Sequence, residues 1–410
     1  MATVQEILDT EIPRPTFAFR PGRNAPLPEG VTLSRSSAAR TLDPASGLYM
    51  SVPSGEGRNF GPQQGFLVEG TARTNHVPHS SAISQINWNV NNLGTESARD
   101  SVIDGETAYE QAGDGSTSGA NMAKSAGMFT GSDEIAYALI EKGTSDLVAY
   151  GLRNVTTGNF AVVVEYEWST DTTNFIVGSA EDMQVRTLQT NGPNGAKLTH
   201  CFLRISGGNA ENVSGDSRRM HLYPDRNANG NSAIFHHAQL EEALNASSPI
   251  VTVGSAVTRS ADDFSISIGD WWDYSEGTYI IEWVNRAYKI GGASDRTQLL
   301  NGSTSSKNRL LSTGDVNNHA IADESGNVVS FSTSAGPFAT HTAAVSLLPS
   351  EVRASINGSS KTGLHDGSLL SPGSNILVGR SQGSNHSLTI RKVRYIPSAL
   401  PKSTLNTLTS

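Results

Sequence analysis

IFHHAQLEEALNASSPIVTVGSAVTRSADD, residues 234–263, is the stretch whose reading divides the chain. It opens extended, passes a polar patch from Asn245 to Pro249, and becomes a strand-like run, Ile250-Val251-Thr252-Val253. It closes on Thr258-Arg259-Ser260-Ala261-Asp262-Asp263. The residues before it read as one β-rich lobe and those after it as another. The expected layout is an N-terminal attachment and irregular segment (1–74), a β-sandwich (75–245), a connection (246–261) and a second sandwich (262–410).

The clearest strand lies before this stretch, at FAVVVEYEW (160–168). Val162, Val164, Tyr166 and Trp168 fall on one face, Glu165 and Glu167 on the other, which is the period of a half-buried strand. Further strands are expected at Thr199–Ser206, Arg218–Pro224 and Ile234–Leu240. After the stretch, strands are expected at Gly277–Asn285, Glu351–Asn357, Asn375–Gly379 and Ser387–Tyr395, with a turn over Gly379–Ser384. Asn- and Gly-rich loops between short strands are the pattern of a jelly roll or related sandwich. In the tail, PKSTLNTLTS, Leu405 and Leu408 are placed to pack back from a helical turn.

Residues 16–74 show little regular patterning, only short pieces such as Phe17-Ala18-Phe19 and Val31-Thr32-Leu33 between turn signals. Residues 1–12 place Val4, Ile7 and Leu8 on one helical face before Pro13 and Pro15 stop it. A helix that short is not stable alone, so a frayed terminus competes with a peptide that orders when docked on a partner.

Composition supports an all-β reading. The chain has 410 residues, 36% hydrophobic, with 40 glycines and 17 prolines, so turns are frequent and long helices are not expected. The formal charge is −9 without blocks of like charge, which argues against nucleic acid or an anionic membrane as partner. With Cys201 as the single cysteine, neither an intrachain disulfide nor a cysteine-based zinc site is available. No signal peptide and no membrane-length apolar run is read in the sequence.

The ordered motifs LSRSSAAR (33–40), GFLVEGTARTN (65–75), HAQLEEA (237–243) and VTRSADDFS (257–265), closing with LTIRKVRYIPSALPKSTLNTLTS (388–410), resemble a group of tailed-bacteriophage virion proteins. These carry a carbohydrate-binding-module-like sandwich followed by a concanavalin-A-like lectin domain. Gly70 stands where that group usually has proline, and Ala243 where it has glycine. The resemblance implies a virion fibre or spike, assembled in the host bacterial cytoplasm, that contacts host-surface polysaccharide. It further implies a homotrimer, and attachment to other virion proteins through Val4, Ile7 and Leu8. Alternatives are a capsid decoration, head-fibre or tail-tip protein without glycan binding, and a capsule depolymerase.

No strong catalytic constellation is present. Glu165 and Glu167 form a carboxylate pair of the kind glycosidic cleavage uses, but without the denser acidic set of lectin-fold glucanases they read as a solvated strand face. Asp225, Asn227 and Asn229 match the first half of a calcium loop whose twelfth position is His236 rather than Glu, so a plain turn competes with a calcium ion. His236 and His237 cannot hold one ion while their strand stays regular. No cofactor and no catalysis is expected. For glycan contact the candidates are Trp88, Trp271, Trp272, Tyr274 and Asp273, since sugar rings present C–H faces to aromatics and hydroxyls to polar neighbours. Burial at an interface competes with that role.

Overall fold

Where alternation is strongest, the chain follows it. In the computed structural model Phe160–Glu167 is a strand with Val162, Val164 and Tyr166 fully buried and Glu165 and Glu167 half-exposed on the opposite face. The structure describes residues 13–20, 27–59, 65–178, 182–243, 245–285, 296–301, 309–313, 318–323, 325–333, 339–371, 373–382 and 387–410. Val4, Ile7 and Leu8 lie outside them. The described residues are nearly all β, and the chain forms two compact units. One comprises 1–37, 54–71 and 260–410, the other 38–53 and 72–259.

In the first unit, one sheet orders Ser359–Leu364, Glu351–Ile356, Thr340–Leu347, Gly277–Asn285, Ser387–Ile396, Phe66–Glu69 and Arg58–Asn59, and Phe17–Phe19 also pairs with Ser387–Ile396. The other orders Val31–Ser34, Asp263–Ser267, Asn375–Gln382, Arg296–Asn301, Arg309–Thr313, Asn318–Ala322 and Asn327–Ser332. Their inner faces share a core that includes Phe66, Phe264, Trp283, Val345 and Tyr395. The terminal helix, Lys402–Thr409, buries Leu405 and packs Leu408 against Ile280 and Ile396.

Residues 16–74 therefore differ from the irregular segment expected. Phe17–Phe19, Val31–Ser34, Arg58–Asn59 and Phe66–Glu69 complete the sheets of the first unit. Ala39–Asp43, Leu48–Val52 and Arg73–Asn75 belong to the second. Strands of two to five residues are too short to hold alone. Two of those in the first unit are anchored by rings, Phe19 and Phe66 packing on Phe264 with ring centroids 5.6 and 5.0 Å away.

The motif residues of this unit build scaffold. Asp262 accepts from Arg35 Nη1 at 3.0 Å, from the Glu69 amide at 2.7 Å and from Arg58 Nη2, while Arg58 Nη1 reaches Glu69. Burial opposes the charge on Arg58, but Glu69 and Asp262 outweigh it and hold its pKa above the ordinary value.

The second unit is a sandwich of two six-stranded sheets. One orders Asp182–Gln189, Leu198–Ile205, Glu134–Lys142, Ser232–Glu242, Thr107–Gly113 and Leu93–Asp100. The other orders Thr172–Gly178, Phe160–Glu167, Leu147–Asn154, Ser217–Tyr223, Asn121–Met128 and Asn89–Asn91. Tyr150, Leu152, Met220, Leu222 and Met122 fill the space between them.

Ile250–Val253, read as strand-like, is not a strand. Side chains take the place of a ladder. The Ile250 amide donates to Gln239 Oε1 at 2.7 Å, its carbonyl accepts from Asn75 Nδ2 at 2.8 Å, and the Thr252 amide donates to Ser80 Oγ at 2.9 Å. The expected connection, 246–261, is thereby tied largely into the second unit, and Val257–Arg259 pairs with Arg73–Asn75.

Candidate functional site

The aromatic residues proposed from sequence are placed mostly inside. Trp88 is 2% exposed and its indole N–H donates to the His79 carbonyl at 3.2 Å. The turn after Ser84 sends Ile86 outward and Trp88 into the core. Trp272 is 4% exposed, stacks on Tyr395 at 4.6 Å and donates to the Leu370 carbonyl. Trp271 lies against Phe17 at 4.7 Å and Tyr395 at 5.3 Å and donates to the Ser267 carbonyl. On an extended chain only one of two adjacent indoles could turn inward. Here a turn closed by the Trp272 amide on the Gly269 carbonyl lets both pack.

Asp273 is engaged locally. Its carboxylate accepts from Ser275 Oγ and the Ser275 amide, which holds its pKa below the ordinary value. Tyr274, 58% exposed, is the one member of the proposed set with a wholly outward ring. Trp88 belongs to the second unit, and Trp271, Trp272, Asp273 and Tyr274 to the first.

The calcium candidate is closed by its own backbone. Asp225 is fully buried and its carboxylate accepts from the amides of Asn227, Asn229 and Asn231 at 3.0, 2.8 and 3.0 Å. Those N–H groups stand where a cation would need lone pairs. The histidine pair sits at a β-bulge, where Ile140 pairs with Phe235 and Leu139 with His237, so the strand is not regular. His236 lies between the Val102 amide and Glu141, and His237 between Ser81 Oγ and Gln239 Oε1. All four ring nitrogens are occupied, and among the described residues no group of His, Cys, Asp and Glu could hold a metal.

A different surface is built by register, on the outward face of the sheet that begins at Thr172–Gly178. Tyr150, Leu152, Met220 and Leu222 point to the core, so their neighbours point away. Antiparallel pairing sets these neighbours in rows: Tyr223, Ala149 and Glu165 in one; Asn89, Ala123, His221, Gly151 and Val163 in the next; Ser125, Arg219, Arg153 and Phe160 in the third. The middle of the face is poor in side chains. At Gly151 a Cβ would stand 2.4 Å from the Val162 carbonyl oxygen, so any larger residue would push the adjoining strand away.

Rings and hydrogen-bonding groups surround that floor. Arg226 lies over Tyr223 at 5.1 Å, and its Nε donates to Glu165 at 2.9 Å. Arg153 lies over Phe160 at 5.3 Å, with Nε and Nη2 donating to the Gly158 carbonyl at 3.0 and 2.9 Å. Phe160 packs edge-on to His221 at 5.2 Å. Burial pushes the Tyr223 phenol up to about 12, so it is a neutral O–H at ordinary pH.

His221 is the most informative group on the face. Asn121 Nδ2 donates to the Gly119 carbonyl at 2.7 Å, which leaves Asn121 Oδ1 facing His221 Nδ1 at 3.2 Å. Nδ1 must then carry the proton, and Nε2 is a bare acceptor. It is buried and has no donor among the described residues. Burial, then Arg153 and Arg219, pushes the imidazole down to about 3, so it stays neutral. The face therefore offers donors on Arg153 and Asn121 and partly exposed ring surface on Phe160, while the floor beneath them, His221 Nε2 included, is buried.

No family's sequence profile matches this chain, and no curated protein resembles it closely enough to count as a relative. Among solved structures, the binding domain of botulinum neurotoxin DC in complex with rat synaptotagmin II aligns at 11% identity over 36% of this chain and 40% of its own, with a TM-score of 0.28. Domain 4 of the Geobacillus stearothermophilus arabinanase AbnA, in complex with arabinotriose, aligns at 14% identity over 37% and 73%, with a TM-score of 0.26. The Trypanosoma rangeli sialidase aligns at 8% identity over 77% and 62%, with a TM-score of 0.27. The chain thus spans about two-fifths of the neurotoxin domain's length. Likenesses this distant assign neither an activity nor a ligand to it.

Proposed function

We propose that this chain is a glycan-binding adhesin of a bacteriophage virion, a tail fibre or spike that holds host-surface polysaccharide without covalent chemistry. The observation that carries the reading is the outward sheet face, on which the partly exposed Phe160 ring stands beside the donors of Arg153 and Asn121. A hydroxyl-rich ring fits such a face, its hydroxyls accepting from Arg153 and Asn121 and its C–H edges lying against Phe160. Assembly in the host bacterial cytoplasm, and attachment to other virion proteins through the N-terminal segment, belong to the same proposal and are supported by the motif order.

A shallow face of this kind binds weakly at one site, and several copies multiply it. A homotrimer would provide them. The edge strand Thr172–Gly178 supports copy-to-copy contact, because it carries no charge and exposes Phe175, Ile176 and Val177 in succession.

A glycan array probed with the full chain tests the proposal. The expected result is binding to host polysaccharides that is weakened in Arg153→Ala while the thermal midpoint holds. Binding to none of them would refute it and leave a structural role, as capsid decoration or tail tip. Release of reducing ends from host capsule, lost in Glu165→Gln, would instead make the chain a depolymerase.

A further inference from the structure

The row that crosses Arg219 and Arg153 gives the face a charge that its neighbours leave unmatched. These residues are direct cross-strand partners, so their side chains leave the sheet on the same side. Like charges placed opposite each other destabilise a sheet unless something neutralises them. Arg226, on the same face, is paired with Glu165. Among the described residues no carboxylate pairs with Arg153 or Arg219. Glu211, by the loop that follows Arg153, is taken up by Thr157 Oγ1 at 2.5 Å and Asn159 Nδ2 at 3.0 Å.

Both cations are prepared for a ligand. Arg153 is fixed from two sides, by the Gly158 carbonyl and by the Phe160 ring, and neither contact uses Nη1. Arg219 has a buried Nε without a hydrogen-bond partner. His221 lies next to them in the adjoining row, its Nε2 likewise without a donor. The whole chain carries −9, so this is a local patch on an acidic molecule and not part of a general affinity for polyanions.

We propose that the glycan held on this face is acidic, and that its carboxylate sits between Arg153 and Arg219. The inference rests on the glycan-binding reading above. The guanidinium fork matches a planar carboxylate, and a charge-assisted contact of this kind is about twice as strong as a neutral one. The anion would also remove the repulsion between the two arginines, so the bound state gains on both counts.

The test uses the full chain and a panel of oligosaccharides in matched pairs: galacturonate, glucuronate and sialate oligomers, each beside its carboxyl-reduced neutral form, with sulfated oligomers as a third arm. Calorimetric titration is expected to show carboxylated members binding at least roughly tenfold more tightly than their neutral forms, with affinity falling as salt rises. Arg153→Gln and Arg219→Gln should each remove most of that preference, weakening the carboxylated members more than their neutral forms. Neutral and acidic forms binding equally would overturn the inference and leave the adhesin intact. Sulfated members outranking carboxylated ones would overturn the carboxylate assignment. No binding by any member would refute the adhesin and the inference together.

Discussion

Removing Asp262 should destabilise the first unit more than its single carboxylate suggests. The side chain is 1% exposed, and Arg35 and Arg58, both fully buried at the side chain, depend on it for charge. In Asp262→Ala, Arg35 Nη1 loses its 3.0 Å partner, the Glu69 amide loses an acceptor, and Arg58 Nη2 loses its carboxylate. Truncating one member of a buried ion cluster costs about 3–5 kcal/mol, because the remaining charges stay desolvated. The half-exposed pair of Lys142 with Asp146 sets the contrast, since Lys142→Ala should cost no more than about 1 kcal/mol. Urea unfolding followed by hydrogen exchange is the assay. The midpoint should fall with an unchanged slope, and protection should be lost first at Phe66–Glu69 and Asp263–Ser267. A shift below about 1 kcal/mol for Asp262→Ala would refute the view that these motif residues hold the unit together.

Acid should weaken the second unit well above the carboxylate range. His221 and His237 are buried and neutral, each held down to about 3 against an ordinary 6.5. Their folded-state values are depressed, so the unfolded chain binds protons first and stability drains as pH falls from 6.5 toward 3. By pH 5 each should have withdrawn about 2 kcal/mol, and urea midpoints that do not move between pH 7 and pH 5 would contradict this. Cys201 is fully buried and burial pushes its thiol up to about 12, so iodoacetamide should label it only at the rate of unfolding. Rapid labelling of the native chain would show that the sandwich opens locally.

Strand type was legible where alternation was long. Gly277–Asn285 forms as read, and Phe160–Glu167 matches to within one residue. The partnerships of Phe17–Phe19 and Val31–Ser34 were not, because a three- or four-residue strand is specified by a distant partner: Tyr395 for Phe17 and Ile266 for Val31. Trp271 and Trp272 misled because a turn replaces the extended chain assumed for them. The face around Gly151 was half legible. Alternation along Arg218–Pro224 sets Arg219, His221 and Tyr223 on one side, and that signal was available. What brings Arg153, Phe160 and Asn121 beside them is cross-strand register, which neither composition nor spacing encodes. The motif residues Arg35, Glu69 and Asp262 stood out in the sequence for a different reason, being charges committed to a buried cluster.

The most direct measurement is a hydrogen-exchange footprint of the full chain with and without the tightest-binding oligosaccharide from the panel. Added protection confined to residues 121–125, 149–153 and 219–223 is the predicted result. Protection centred on residues 270–276, or none on the sheet that carries Gly151, would contradict the account.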